Sequence, residues 1–401
     1  MRETKVSLQN VVLGLQHLVA MSGATIIVPL ITGLNVSVAL FTAGVGTLIF
    51  HFFTKGKVPV FLGSSFAFIG VVSMIGAEYG LEYATGGVFV AGLIYVLFAI
   101  IVKLVGMEKI NSLFPPVVTG SMIMVIGLTL APSVINANIV EAATGTLGQR
   151  WLVAMIVALT MVIVSIFVKG FFKLTPILFG FIAGYIAAAC LGMLDTVAIA
   201  QANWIQVPPF MLPKFNWDAV ITVASVTIVT LMEHIGDVTT ISAVTRQNFL
   251  KDPGLHMTLV GDGLATTFAG LLGGPANTTY SENTGVLAMT GNFNPFTLEL
   301  AAIFAIILAF VGKLGVALQT IPAPVIGGAS IILFGMIASI GLRTIKDADV
   351  DLNRNRNLLI ISIMLVLGIS GVSLPIAGNI ALNGLSLSAV AGIILNQVLP
   401  E

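Results

Sequence analysis

Gly274-Pro275-Ala276-Asn277-Thr278-Thr279-Tyr280-Ser281-Glu282-Asn283-Thr284-Gly285 is a polar, turn-rich passage set inside strongly apolar sequence. Bilayer hydrocarbon offers no partner to an open backbone, so irregular chain at that depth persists only where protein encloses it or it lines a cavity. An ionisable residue there, Glu282, marks function. The passage reads as one half of a binding site.

The rest of the chain supports a membrane setting. Of 401 residues, 57% are hydrophobic and 8% charged, against roughly 25% charged in a soluble domain. Lys+Arg and Asp+Glu are equal at 17 each, so the net charge points neither to nucleic acid nor to a polybasic membrane anchor. A single cysteine, Cys190, excludes an intrachain disulfide and any cysteine-based metal cluster. The first apolar run, residues 11–31, carries Gln16 and His17 and is too long for a signal-peptide core, so it is expected to be a retained helix.

Apolar runs of about 20 residues, enough to cross a bilayer, alternate with short polar breaks. Fourteen are expected, near residues 11–31, 36–54, 60–76, 84–104, 114–132, 151–168, 175–194, 218–241, 256–272, 276–291, 298–318, 324–341, 358–372 and 383–399. With both termini cytoplasmic, only Arg150, Lys214 and Lys313 of the 17 basic residues fall outside. The positive-inside rule thus supports both the count and the orientation, since one span too many would invert every later loop.

Three landmarks of the first half recur in the same order in the second. Gln16-His17 answers to Glu233-His234, Ser64-Ser65-Phe66 to Thr279-Tyr280-Ser281, and Phe114-Pro115-Pro116-Val117 to Ile321-Pro322-Ala323-Pro324-Val325. Seven spans per half is an odd number, so the second copy is expected upside down, the inverted-repeat arrangement of secondary transporters. The expected units are residues 1–195, a proline-bearing extracellular linker at 196–217 that would be the hinge, and residues 218–401.

Spans three and ten are interrupted. Residues 59–65 and 275–280 read as extended chain, each followed by a helix that would begin in mid-membrane. A helix start offers unpaired N–H groups and the positive end of the dipole, and Ser, Thr and Asn are favoured caps there. One helix rises and the other descends, so the two starts would converge into a donor-rich pocket. The competing reading is a pair of Gly/Pro kinks that serve packing alone.

Acceptors come from Glu233, Asp237 and Glu282, which lie well inside spans. Glu233 and Asp237 are four residues apart and share a helix face. Two carboxylates in a poorly hydrated site resist ionising together, so one is expected to hold a proton, as a proton-coupled carrier requires. Asp237 could instead be a structural acceptor for neighbouring hydroxyls. Asp262, between Gly261 and Gly263, is expected to hydrogen-bond structurally, and His17 to belong to a polar network. Glu233-His234-Ile235-Gly236-Asp237 lacks the two histidines of a zinc-protease helix, and no phosphate-binding or dinucleotide fingerprint occurs. No metal or cofactor is expected beyond a proton gradient.

Glu282-Asn283-Thr284-Gly285, four residues, then Thr290-Gly291 fits the signature of the nucleobase/ascorbate transporter family: Glu, Gln or Pro, then Asn-x-Gly, four residues, Thr, and Arg, Lys or Gly. Gln16-His17, Leu62-Gly63-Ser64-Ser65-Phe66-Ala67-Phe68 and Asn277-Thr278-Thr279-Tyr280 resemble its bacterial uracil:proton symporters in particular. The resemblance spans essentially the whole chain.

It implies an all-α membrane protein of 14 spans in two inverted repeats, with short strands in spans three and ten. A core (spans 1–4 and 8–11) would work against a gate (spans 5–7 and 12–14), usually in a homodimer of the cell membrane. It further implies that Glu233 and Glu282 bind uracil, that the amides of Phe66 and Ser281 donate to its carbonyls, and that Ala24 and Tyr280 wall the pocket. Glu233 and Asp237 would handle the proton, with Gln16, His17, Ser65, Asn283 and Phe334 in support. Two departures stand out. The best-known uracil symporter has a histidine where this chain has Asp237, common in purine-carrying relatives, and a tyrosine where this chain has Phe334. Glu282 points the other way, since xanthine and uric acid carriers usually have Gln there. A purine or sodium-coupled nucleobase permease stays open as an alternative, as does an anion exchanger or channel on the same scaffold.

Overall fold

The computed structural model describes residues 6–194, 196–377 and 380–400. The first half runs α1 (Leu8–Thr32), α2 (Val36–Phe53), β1 (Leu62–Ser64), a 3-10 turn (Phe66–Phe68) leading into α3 (Ile69–Glu78), α4 (Leu81–Val105), α5 (Met107–Leu113), α6 (Pro116–Ile135), α7 (Leu147–Phe167) and α8 (Pro176–Cys190). The short α9 (Thr196–Gln201) follows. The second half runs α10 (Trp217–Ala224), α11 (Thr227–Thr245), α12 (Leu255–Leu271), β2 (Asn277–Thr279), α13 (Ser281–Thr290), α14 (Pro295–Ala309), α15 (Gly312–Gln319), α16 (Ala323–Asp347), α17 (Asn355–Ile369), β3 (Leu374–Ala377), β4 (Ile380–Leu382) and α18 (Gly384–Val398).

Among the described residues, seven helical stretches are long and apolar enough to cross a membrane, and shorter apolar helices accompany them. The chain is a mostly helical, multi-pass membrane protein. Helix starts follow local chemistry. Asn35 caps α2 by accepting from the amides of Ser37 and Val38, Thr146 and Gln149 close a capping box on α7, and prolines open α6, α8 and α14.

Each expected apolar run is occupied by a helix or a strand-helix pair, with three differences. The eighth run breaks at Ser225 and Val226 into α10 and α11. The eleventh splits into α14 and α15, because the linker captures backbone groups at the break: Gln206 donates to the Phe310 carbonyl at 3.0 Å and Gly312 to that of Trp204 at 3.0 Å. The hairpin β3–β4, between the last two helices, was not expected.

The linker is also more tied down than a hinge along its whole length would be. Met211 donates to the carbonyl of Leu272 and Lys214 to that of Glu82, while Phe210 and Phe215 pack edge-on against Phe41 and Phe89.

Small residues let helices approach closely, as membrane interfaces require in the absence of a hydrophobic drive between helices. Where α4 crosses α12, a Cβ on Gly92 would lie 2.4 Å from the Thr267 nitrogen, and one on Gly263 2.6 Å from Tyr95 Cβ. The same device joins α6 to α16, where a Cβ on Gly341 would meet the Gly120 carbonyl at 2.4 Å. Backbone cannot yield as a flexible side chain can. Gly92→Leu should therefore cost at least about 1–3 kcal/mol of overpacking, read as a lower melting temperature of the detergent-solubilised protein; an unchanged melting temperature would show that the α4–α12 crossing is not tight.

Candidate functional site

The two interrupted segments meet. β1 and β2 pair antiparallel, with Leu62 opposite Thr279, Gly63 opposite Thr278 and Ser64 opposite Asn277. Ser65 N–H donates to the Ala276 carbonyl at 2.8 Å and Tyr280 N–H to that of Phe61 at 3.1 Å, which lengthens the ladder at both ends. A two-stranded ribbon still leaves outer backbone groups open, and neighbouring helices supply partners. Thr47 Oγ1 accepts from Leu62 N–H at 2.9 Å, and Thr266 Oγ1 donates to the Asn277 carbonyl at 3.0 Å. The Asn277 side-chain amide adds bonds from Nδ2 to the carbonyls of Thr42 on α2 and Ala265 on α12, at 3.2 and 3.3 Å.

Past the ribbon, Phe66 begins a 3-10 turn and Ser281 begins α13. Hydroxyl capping was expected at both starts. Neither flanking residue, Ser65 or Tyr280, makes a side-chain cap bond. Ser65 Oγ is buried without a hydrogen-bond partner among the described residues, and the Tyr280 phenol is engaged elsewhere. Both starts therefore lack side-chain caps. The Ser281 side chain lies outside the described residues; its backbone opens the helix.

Aromatic rings surround this crossing. Tyr280 is buried, its hydroxyl donating to the Ser64 carbonyl at 2.9 Å and accepting from Thr25 Oγ1 at 3.2 Å. That clamp needs Gly63, where a Cβ would lie 2.4 Å from the ring. Ala24, beside Thr25 on α1, is buried as well. Phe66 packs edge-to-face on Phe334 of α16, centroids 6.2 Å apart and planes at 81°, a favourable aromatic geometry.

The acids lie on the adjoining helices. Glu233 of α11 is half-buried, and its Oε2 is enclosed without a hydrogen-bond partner. One turn on, Asp237 accepts from Thr279 Oγ1 at 2.7 Å, so the acidic face of α11 abuts β2 two residues before the start of α13. Glu282 is half-buried in the first turn of α13, where a negative charge suits the helix dipole.

Behind them, the Asn283 amide reaches both Nδ1 and the carbonyl of His17 at 3.1 Å, which ties α13 to α1. Gln16 Oε1, beside them, is buried without a hydrogen-bond partner among the described residues. Asp262 has the structural bond expected of it, from an unexpected neighbour. His234 Nδ1 lies 2.8 Å from Asp262 Oδ2, and Nε2 lies 3.0 Å from Thr258 Oγ1. The sequence signal for that pair was the abutting Glu233-His234 and the glycine-flanked acid. Thr25 carried no signal at all.

The geometry places amide donors, carboxylate acceptors and aromatic faces around one ribbon. That set suits a small planar molecule carrying both N–H and C=O groups. Among the described residues, no group of three or more His, Cys, Asp or Glu side chains is placed to hold a metal.

Comparison with known proteins agrees with the fold and the class. The sequence profile described as "Permease family" (Xan_ur_permease) matches residues 8–377. "Probable uracil permease" of Haemophilus influenzae is 43% identical over 399 residues, covering 100% of this chain and 96% of the relative. "Uracil permease" of Bacillus caldolyticus is 42% identical over 402 residues, covering 98% and 92%. Among solved structures, the transmembrane domain of a cyanobacterium bicarbonate transporter, BicA, superposes with a TM-score of 0.66 at 17% identity, covering 97% of this chain and 98% of that one; at that identity the likeness is one of fold. The chain therefore belongs to the nucleobase/ascorbate permease family its motifs resemble, and it is a membrane transporter, not an enzyme.

Proposed function

We propose that this permease is a secondary active transporter that brings uracil into the cell together with a proton. In this reading the chain crosses the cell membrane 14 times as two inverted repeats, residues 1–195 and 218–401, with both termini cytoplasmic. Spans 1–4 and 8–11 form a core, spans 5–7 and 12–14 a gate, and substrate sits between them. Alternating access follows from movement of the core against the gate, in a protein that pairs as a homodimer.

The observation that carries the reading is the β1–β2 pairing, which sets two uncapped helix starts beside the acidic face of α11. Uracil presents N–H donors between C=O acceptors. Glu233 and Glu282 would accept from the N–H groups, the amides of Phe66 and Ser281 would donate to the carbonyls, and Phe66, Tyr280 and Ala24 would wall the ring, with Phe334 behind Phe66. Close relatives named uracil permease support the cargo. Glu233, whose Oε2 has no hydrogen-bond partner among the described residues, would take the proton, with Asp237 one turn away. An anion cargo, as in the bicarbonate transporter of like fold, is disfavoured by three carboxylic acids at the site.

Radiolabelled uracil uptake into proteoliposomes tests this. Uptake should rise with an inward proton gradient, collapse with a protonophore and be indifferent to sodium at fixed pH. Thymine and 5-fluorouracil should compete better than xanthine or hypoxanthine. Sodium dependence, or stronger competition by xanthine, would overturn the assignment in favour of a sodium-coupled or purine carrier.

A further inference from the structure

Glu233 and Asp237 can act on a ligand only if α11 is held at one rotation about its axis. Successive residues of a helix are about 100° apart, so His234 projects from the flank of the acidic face. Its side chain is fully buried and both ring nitrogens are engaged, with Asp262 Oδ2 at 2.8 Å and Thr258 Oγ1 at 3.0 Å. Tyr95 of α4 meets the ring edge-on, planes at 87°.

The partner helix is well placed to serve as an anchor. Asp262 stands between Gly261 and Gly263. A Cβ on Gly261 would lie 3.0 Å from Phe50 Cα on α2, and one on Gly263 2.8 Å from the Gly92 carbonyl on α4, so backbone closes on α12 from both sides of the acid. The middle of α11 has no such lock: a Cβ on Gly236 would find its nearest neighbour, Ile123 Cδ1, 3.8 Å away. Backbone thus closes on α12 at Gly261 and Gly263, whereas α11 at Gly236 meets only the end of a side chain.

We infer that the buried His234–Asp262–Thr258 cluster is a positioning device, which fixes the rotation of α11 on α12 so that Glu233 and Asp237 face the β1–β2 crossing. His234 touches no ligand in this account. It acts through its neighbour in sequence. A carboxylate about 6 Å from the helix axis moves about 2 Å for a 20° turn, and misplacement by about 1 Å can cost a hundredfold in rate. The inference rests on Glu233 being a substrate group, as proposed above.

The test compares purified His234→Ala, Asp262→Asn and Thr258→Val with the parent protein, measuring uracil Kd by calorimetry, uptake KM and maximal rate, and melting temperature. Folded His234→Ala should bind uracil at least tenfold more weakly and show a raised KM. Asp262→Asn, which keeps an oxygen acceptor for the imidazole, should stay within about threefold of the parent. Thr258→Val, which removes one of the two bonds, should fall between. A purely structural role predicts the opposite split, with a lowered melting temperature and parental Kd and KM in the folded fraction, and that result would overturn the inference. Where His234→Ala does not fold, the two milder variants decide: parental affinity in Thr258→Val contradicts it. Failure of the parent protein itself to bind uracil would refute the functional reading instead, so the two failures are distinguishable.

Discussion

Glu233→Ala abolishes uracil uptake while leaving a folded protein. The expectation rests on an asymmetry in what the substitution removes. Glu233 Oε2 is buried without a hydrogen-bond partner among the described residues, so its loss takes no such bond from that oxygen. Toward substrate, in contrast, it removes an acceptor for uracil N–H groups. A hydrogen bond to a charged group contributes about 1.5–3 kcal/mol, so losing the one to Glu233 is worth a factor of about ten to a hundred, and the substitution also removes the group proposed to carry the proton. Glu282→Ala should also silence uptake, with a small loss of stability, because the first turn of α13 loses a negative charge worth about 0.3–1 kcal/mol against the dipole. Uptake by purified, reconstituted variants, with melting temperatures alongside, checks both. Parental uptake in either one contradicts the assignment.

The second large effect is expected from the smallest change, Gly63→Ala. The added methyl would stand 2.4 Å from the Tyr280 ring, which is pinned through its hydroxyl to the Ser64 carbonyl and to Thr25. The ribbon backbone on one side and the clamped phenol on the other leave no room, so the ring must swing out and both bonds break. Two lost hydrogen bonds at about 1 kcal/mol each and overpacking of about 1–3 kcal/mol predict a clearly lower melting temperature. Displacement of the pocket wall predicts a loss of uptake on the order of a hundredfold. Removing the ring in Gly63→Ala/Tyr280→Ala should restore much of the stability and none of the transport. Recovery of transport in the double variant would show that Tyr280 is not a wall of the site.

Much of this architecture was legible because the bilayer makes sequence periodicity nearly a length measurement. The extended segments of spans three and ten could be read from Pro59, Gly63, Pro275 and the polar residues around them, since such chain has no other reason to sit among apolar helices. Their pairing could not be read in register. Alignment of Leu62 with Thr279 depends on where α2 and α12 offer carbonyls and hydroxyls to the outer edges, through Thr42, Thr47, Ala265 and Thr266. The split of the eleventh run at Phe310 was hidden for the same reason: its cause is a linker some hundred residues earlier in the chain.

Among the acids, position in a span distinguished Glu233, Asp237 and Glu282 from loop residues, but not what each meets. Asp237 is bonded to Thr279, the structural alternative weighed for it. His17 was expected in a network and meets Asn283, whereas Gln16 Oε1 beside it has no hydrogen-bond partner among the described residues. His234 drew attention as a repeat landmark and as part of a failed metal motif, not as a partner for Asp262. Its partner Asp262 is 28 residues away, a separation no periodicity reports.

The most direct test of the central claim is an experimental structure of the protein in lipid with uracil bound. The account predicts a flat ligand at the β1–β2 crossing, its N–H edges on the carboxylates of Glu233 and Glu282 and its carbonyls on the amides of Phe66 and Ser281. Uracil bound away from that ribbon, or spans three and ten resolved as unbroken helices, would contradict it.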